Sequence, residues 1–268
     1  MYPTIAHIYG PLSINSYGLA ILVGITVFTY FLMRDAQRPA IIAQETLINT
    51  IGYGVLLGVV GGRLLWAVSC WGTIAHWSEI GMVWEGGFSV LGSMIAVLVG
   101  MPLYLRSQGV PVFQFLDLVT VYAPLLHAIS RLGCFLAGCC YGQATTVPWA
   151  ITYTNDAIRA PLFVALHPTQ LYSSLIFFGI FVLMVTIIRP SQTRVGQCVA
   201  WYLILASVER FGIDFLRGDR QLIAPFGFVF SFHQVIALGI IVTALGGLLY
   251  LRMTARACKS AGRWGGFA

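Results

Sequence analysis

Charge is the scarcest property of this sequence. Of its 268 residues, 9 % are Asp, Glu, Lys or Arg, while 58 % are apolar. A soluble domain normally carries about 25 % charged residues, so the charged groups present cannot cover a water-soluble particle of this size. That excludes an ordinary cytosolic enzyme, a nucleic-acid-binding protein and a disordered chain, and it indicates a polytopic membrane protein. Lysine is almost missing. Lys259 stands alone beside fourteen arginines, so the net charge of +6 is an arginine property, which in a membrane protein bears on topology and anionic headgroups. There is no internal repeat, low-complexity tract or long linker, which predicts one integral-membrane domain over residues 1–268. A secreted disulfide framework is missing too: Cys70, Cys134, Cys139, Cys140, Cys198 and Cys258 mostly lie in or beside apolar stretches. The residues from Met1 to Ser16 lack the basic start of a signal peptide, and no cleavage motif follows the next apolar run, which therefore reads as a first transmembrane helix.

What is present is a series of apolar runs near the length of about 20 residues that crosses a bilayer. They cover residues 17–33, 47–71, 82–105, 113–136, 167–188, 195–213 and 226–251. The expected fold is all-α, with about seven transmembrane helices. If the spans alternate, Arg34, Arg38, Arg106, Arg189, Arg194, Arg252, Arg256, Lys259 and Arg263 fall on one side, and only Arg159, Arg217 and Arg220 on the other. The positive-inside rule then puts the N-terminus outside and the C-terminus in the cytoplasm. Residues 138–166 form the longest connection, expected to be an outward-facing cap loop with a short strand near 149–153.

Arg63, Arg131 and Arg210 sit within or at the rim of apolar segments. A charge near the bilayer centre costs several kcal/mol, so such residues are functional, paired or snorkelling. One reading is a phosphate clamp, because a guanidinium is always charged and its planar fork fits phosphate oxygens. The other is internal pairing, of Arg210 with Asp214 at i,i+4 and of Arg63 with Glu85. Gly58, Gly61 and Gly62 could unwind the second helix, as in a transporter. The thiols Cys134, Cys139 and Cys140 lack a fixed fourth ligand, which makes weak zinc evidence; packing in a tight turn, or a disulfide to Cys70, is the expectation.

The stretch Ser130-Arg131-Leu132-Gly133-Cys134-Phe135-Leu136-Ala137-Gly138-Cys139-Cys140-Tyr141-Gly142 resembles the signature of prolipoprotein diacylglyceryl transferases. Gly10-Pro11-Leu12 with Tyr17-Gly18-Leu19, Gly61-Gly62-Arg63-Leu64, Trp84-Glu85-Gly86-Gly87, His167-Pro168-Thr169-Gln170-Leu171-Tyr172 and the block from Glu209-Arg210 through Asp214 to Arg217 also match the family, in its order. The resemblance implies a seven-helix protein of the bacterial inner membrane with its active site toward the outer face. It implies transfer of the diacylglyceryl group of phosphatidylglycerol to the lipobox cysteine thiol in the signal peptide of a preprolipoprotein, releasing glycerol phosphate, with no metal or organic cofactor. It makes Arg131 and Arg210 the essential basic residues, Tyr17 an active-site tyrosine, Gly142 the closing glycine of the signature and Asp214 the acidic partner of the late arginine. Arg63, Gln170 and Arg217 join Arg131, Arg210, Asp214 and Gly142 as expected substrate contacts.

The chain departs from the family pattern in several places. Leu91 stands where many members carry a histidine often proposed as thiol base; Cys134 replaces the signature asparagine, Cys139 the signature acid, and Ser173 the acid after the His-Pro block. His127, on the helical face of Arg131, and His167 are the candidate substitutes for that base. A diverged member with another acceptor, an anionic-lipid binder and a transporter are the alternatives.

Overall fold

The structure, a computed structural model, describes residues 4–9, 12–73, 78–82, 87–158, 160–220, 222–223 and 230–261. Gly10-Pro11, Trp84-Glu85-Gly86 with the expected Arg63–Glu85 pair, Arg159, the first residues of the 226–251 run and Arg263 lie outside them. Strands β1 (Thr4–Tyr9) and β2 (Leu12–Asn15) pair antiparallel and lead into α1 (Ser16–Arg34), the single turn α2 (Arg38–Ile41), α3 (Gln44–Ser69), α4 (Ser78–Gly81), α5 (Val90–Ser107) and α6 (Val112–Ala137). Then β3 (Ile151–Thr152) pairs antiparallel with β4 (Ala165–Leu166). Helix α7 (Thr169–Leu183) runs on into a π-helical turn at Met184–Ile188 and is followed by α8 (Gln197–Asp214). The short pair β5 (Leu222–Ile223) and β6 (Phe230–Ser231) precedes α9 (Phe232–Ala261).

Helices α1, α3, α5, α6, α7 with its π turn, and α9 are long and apolar enough to cross a membrane. The protein is thus a mostly helical, multi-pass membrane protein. The sixth expected span is a helix, α8, of 18 residues. It does not reach the same apolar standard, because its last turns carry Glu209, Arg210 and Asp214. The third span starts at Val90 instead of residue 82. Gly87 takes a left-handed φ of 74°, which favours glycine, and the Ser89 hydroxyl then accepts the Gly92 N–H as an N-cap, which fixes where the helix begins.

The contacts of the chain divide it into two compact units. One comprises Thr4–Asn15 and Thr29–Phe115, and α3 and α5 are its centre. The glycines of α3 do not unwind it. They let α5 close in: a Cβ on Gly61 would strike Ala96 and the Gly92 carbonyl, and one on Gly92 would strike the Gly61 carbonyl. Small residues at a crossing are the way membrane helices gain packing without a hydrophobic driving force. Ser93 adds a hydrogen bond to the Gly58 carbonyl (2.7 Å), and Tyr53 stacks on Tyr104.

The second unit holds residues 16–28 of α1 and the chain from Leu116 onward. Gly133 brings α6 onto α1, since a Cβ there would lie 2.7 Å from Ala20 Cβ. Ser174 on α7 donates to the Ala128 carbonyl of α6. Ala200 and Ile204 of α8 meet Ala244 and Leu248 of α9 in an apolar cluster. Buried Asp117 on α6 accepts the N–H groups of Gly196 and Val199 and the Gln192 amide, so a carboxylate caps the start of α8, where the helix dipole favours it. The loop after α6 is ordered around its own small core of Tyr153, Ala160 and Leu166. The strand expected near 149–153 is found as β3, with Tyr153 bridging to Leu162.

Candidate active site

Arg63 belongs to the α3–α5 unit and is 4 % exposed. Its guanidinium donates to the carbonyls of Ile80 (3.0 Å), Gly87 (2.9 Å), Met82 (2.9 Å) and Glu79, and it lies over the Trp66 ring at 4.2 Å. Four carbonyls and an aromatic face use an arginine's fork fully. The side chain ties Glu79, Ile80, Met82 and Gly87 to α3.

The other expected residues lie in the second unit, where the backbone brings them together. Gly142 bridges to Arg217, Gln143 N–H donates to the Leu216 carbonyl, and Gly218 N–H to that of Tyr141. The start of the cap loop is thereby zipped to the end of α8. On its other side Gly142 N–H donates to the His167 carbonyl and His167 N–H to that of Gln143. Gly142 is required by contact, since a Cβ there would strike the His167 carbonyl and Cβ.

Around this junction the charges converge. Arg131, Arg210 and Arg217 all act electrostatically on Glu209, and Arg131 and Arg217 act on Arg210. Asp214, 1 % exposed, pairs through one oxygen with Arg210 (3.4 Å) and through the other with Arg220 (3.5 Å). Arg217 is held by Asp219 in a two-point bridge at 2.8 and 2.6 Å. Burial works against the Arg217 charge, but Asp219 and the Cys140 sulfur outweigh it and raise its pKa above the ordinary arginine value. Arg131 differs from the others. It is only partly buried, and its guanidinium makes no hydrogen bond or ion pair with any described residue.

Tyr17 stands in the first turn of α1, 44 % exposed, within electrostatic reach of Arg131 and of Cys134, Cys139 and Cys140. Gln170, 1 % exposed, donates to the Cys139 carbonyl (2.6 Å) and to the Tyr153 hydroxyl, while its Oε1 has no hydrogen-bond partner among the described residues. An orphaned buried acceptor costs about 1–3 kcal/mol, which a ligand hydroxyl would recover.

The three thiols are neither scattered nor in a disulfide. None of Cys70, Cys134, Cys139, Cys140 and Cys198 is in a disulfide, which removes the disulfide expected with Cys70. The sulfurs of Cys134, Cys139 and Cys140 lie within 4.8 Å of one another. Hydrogen bonds from Cys134 and Cys139 hold the Cys140 thiol well below the usual range against its burial, and Arg217 and Arg131 pull it the same way. Its two neighbours and burial push Cys139 up.

The two histidines are bound to tyrosines. His127 Nδ1 shares a hydrogen bond with the Tyr202 hydroxyl (3.1 Å) and meets the edge of Phe177. His167 lies just before α7, its Nδ1 3.4 Å from the Tyr172 hydroxyl, which also accepts the Trp149 N–H (2.6 Å). Glu209 did not stand out from the sequence as a site residue. It is 5 % exposed and accepts a hydrogen bond from Ser173, so α8 supplies a carboxylate beside the position where the family pattern has an acid on α7. A buried acid next to Arg210 was the available signal.

The family model for prolipoprotein diacylglyceryl transferase matches residues 3–250. A phosphatidylglycerol–prolipoprotein diacylglyceryl transferase of Clostridium tetani is 32 % identical over 221 residues, 82 % of this chain and 87 % of the relative. A second such transferase, of Clostridium perfringens, is 33 % identical over 81 % of this chain and 84 % of its own length. One from Bordetella avium is 31 % identical over 92 % of each.

Proposed function

The chain belongs to the prolipoprotein diacylglyceryl transferase family, and from that premise we propose that it moves the diacylglyceryl group of phosphatidylglycerol onto the lipobox cysteine thiol in the signal peptide of a preprolipoprotein. It is a membrane transferase of lipoprotein biosynthesis. The acceptor sulfur attacks the glyceryl carbon and a thioether forms. The carbon–oxygen bond to phosphate breaks, glycerol phosphate leaves with the electron pair, and the thiol proton passes to solvent.

The observation that carries the reading is the guanidinium of Arg131, which no described residue pairs or hydrogen-bonds, beside the paired one of Arg210. A phosphate ester leaves readily only when fixed cations meet its growing charge. Arg131 is the fork that no described residue occupies. Asp214 fixes the orientation of Arg210 while sharing its own charge with Arg220. Tyr17 offers a hydroxyl to the headgroup, and the free Oε1 of Gln170 accepts from a glycerol hydroxyl. Gly142 is the pivot that lets the cap loop meet Arg217. Arg63 serves the architecture of its own unit rather than the lipid, and His127 and His167 position tyrosines rather than move protons.

With α8 counted as a span, seven helices alternate, the basic ends face the cytoplasm, and the 138–166 loop caps a site open to the outer face of the inner membrane. The test is incubation of purified protein with labelled phosphatidylglycerol and a lipobox peptide. Thioether product with released glycerol phosphate is expected, and Arg131→Lys removes it. A fully active Arg131→Lys enzyme overturns the clamp. Leu91 offers hydrocarbon where a base is expected and supports a second reading, transfer to another acceptor, whose mark is glycerol phosphate release with the peptide unmodified.

A further inference from the structure

We propose that the cavity between the start of α8 and the end of α9 binds the phosphate of an anionic phospholipid of the cytoplasmic leaflet, at a site separate from the one that performs transfer. The choice of leaflet rests on the topology proposed above. The site itself does not depend on the transferase reading.

The first support is the make-up of the cavity, whose volume is about 100 Å³. Its cationic half is Arg194, in the turn before α8, and Arg252, near the end of the membrane-crossing stretch of α9. Its apolar half is Trp201, Leu248 and Leu251. The volume admits a headgroup phosphate and leaves a lipid's acyl chains outside.

The second is charge. Neither guanidinium makes a hydrogen bond or ion pair with a described residue, and no described carboxylate lines the cavity. Asp117, the acid that holds this turn, already has both oxygens engaged by Gly196, Val199 and Gln192. Two cationic forks on different helices therefore face one space without an internal counter-charge. A phosphate offers oxygens to both. Because Asp117 takes the N–H groups at the start of α8, side chains and not the helix end would hold the anion.

The third is that the site is held in shape. The Arg194 carbonyl accepts from the Gln192 amide (3.1 Å) and from the Gln197 N–H (3.3 Å). Gln197 Oε1 accepts the Thr193 N–H (3.0 Å). That leaves the Gln197 side-chain amide, which no described acceptor takes, as a further donor at the cavity. Trp201 packs on the Ala200, Ile204, Ala244 and Leu248 cluster, so the apolar wall is fixed as well.

A lipid fits this wall better than a soluble phosphate, which would leave the apolar half without a partner. Leu245, one turn before Leu248, and Leu249 are exposed and extend the apolar surface along α9 toward the bilayer centre. Tryptophan is favoured at the headgroup level, and arginines at helix ends attract an anionic leaflet. The transfer site lies elsewhere. Gln197 and Asp214 are the two ends of α8, about 25 Å apart along its axis at 1.5 Å per residue. One headgroup cannot reach both this cavity and the Arg210–Asp214 pair.

The experiment places purified full-length protein in phosphatidylcholine vesicles that contain a phosphatidylglycerol with a diazirine on its acyl chain next to the ester. After illumination, label is expected on the segment around Trp201 and on Leu248–Leu251. The Arg194→Gln, Arg252→Gln double variant should lower that label at least about 10-fold, as loss of two surface cations near anionic lipid implies, with transfer to a lipobox peptide unchanged. A diazirine phosphatidylcholine should label the same segments at least about 10-fold less. Should the double variant fail to fold, this preference of the wild-type protein decides by itself. Equal labelling by the two lipids, or full labelling of a folded double variant, overturns the site. Displacement of the label by glycerol phosphate in the buffer overturns the lipid as its occupant. Lost transfer with the Trp201 label intact counts against the transferase reading alone, and a missing label with transfer intact counts against this site alone.

Discussion

Arg63 and Arg131 occupy similar sequence, each inside a long apolar run beside glycine. In the α3–α5 unit, Arg63 spends its donors on the carbonyls of Ile80, Met82, Gly87 and Glu79 and rests on Trp66. In the other unit, Arg131 has no such partner among the described residues, while Arg210 and Arg217 beside it are each tied to a carboxylate. The cost of placing a guanidinium in an apolar segment demands a reason in both cases. What differs is who meets the donors. Where the chain's own carbonyls do, the arginine is a staple. Where no described residue does, a ligand is the candidate.

Substitution separates the two roles. Arg63→Met should have the largest effect, orphaning four carbonyls at about 1–3 kcal/mol for each one that stays buried. It should be read as a large fall in melting temperature, with the surviving folded protein still turning over. A folded, normally stable Arg63→Met that has lost transfer would move Arg63 into the lipid site. Arg131→Lys should show the reverse: unchanged melting and transfer reduced about 100-fold or more, the usual cost of one donor to a developing negative charge. Gly142→Ala should damage both, because its Cβ meets the His167 backbone; stability and rate falling together would separate it from either arginine. Asp117→Ala removes the cap of α8 and should cost about 1–2 kcal/mol, measured as melting, with the kinetics of the folded enzyme intact. The smallest effect is expected for His127→Phe, which keeps the ring contact with Phe177 and gives up only the bond to Tyr202. A rate within a few-fold of wild type fits a positioning histidine, and a loss as deep as that of Arg131→Lys would make it the base.

The legible parts of the sequence were those set by composition and by local chain geometry. Apolar runs gave the helices, and the i,i+4 spacing gave the Arg210–Asp214 pair. The start of α5 is not legible in the sequence, because the apolar run continues back to residue 82, and the left-handed Gly87 and the Ser89 cap that set it are backbone features. Gly61 and Gly62 read as a weak point in α3; the close approach of α5, which no local pattern encodes, makes them a contact surface. The meeting of Ser173 with Glu209, 36 residues apart on successive helices, is hidden for the same reason.

Sequence alone determined that the chain lives in a membrane, since too few charges are present to face water, and that its ionisable residues in apolar runs must be answered by something. Tertiary structure decided what answers them. Donors and acceptors are satisfied by whatever lies within hydrogen-bond reach, and that neighbourhood is set by packing and not by position along the chain: carbonyls for Arg63, carboxylates for Arg210 and Arg217, no described partner for Arg131, and for three cysteines each other.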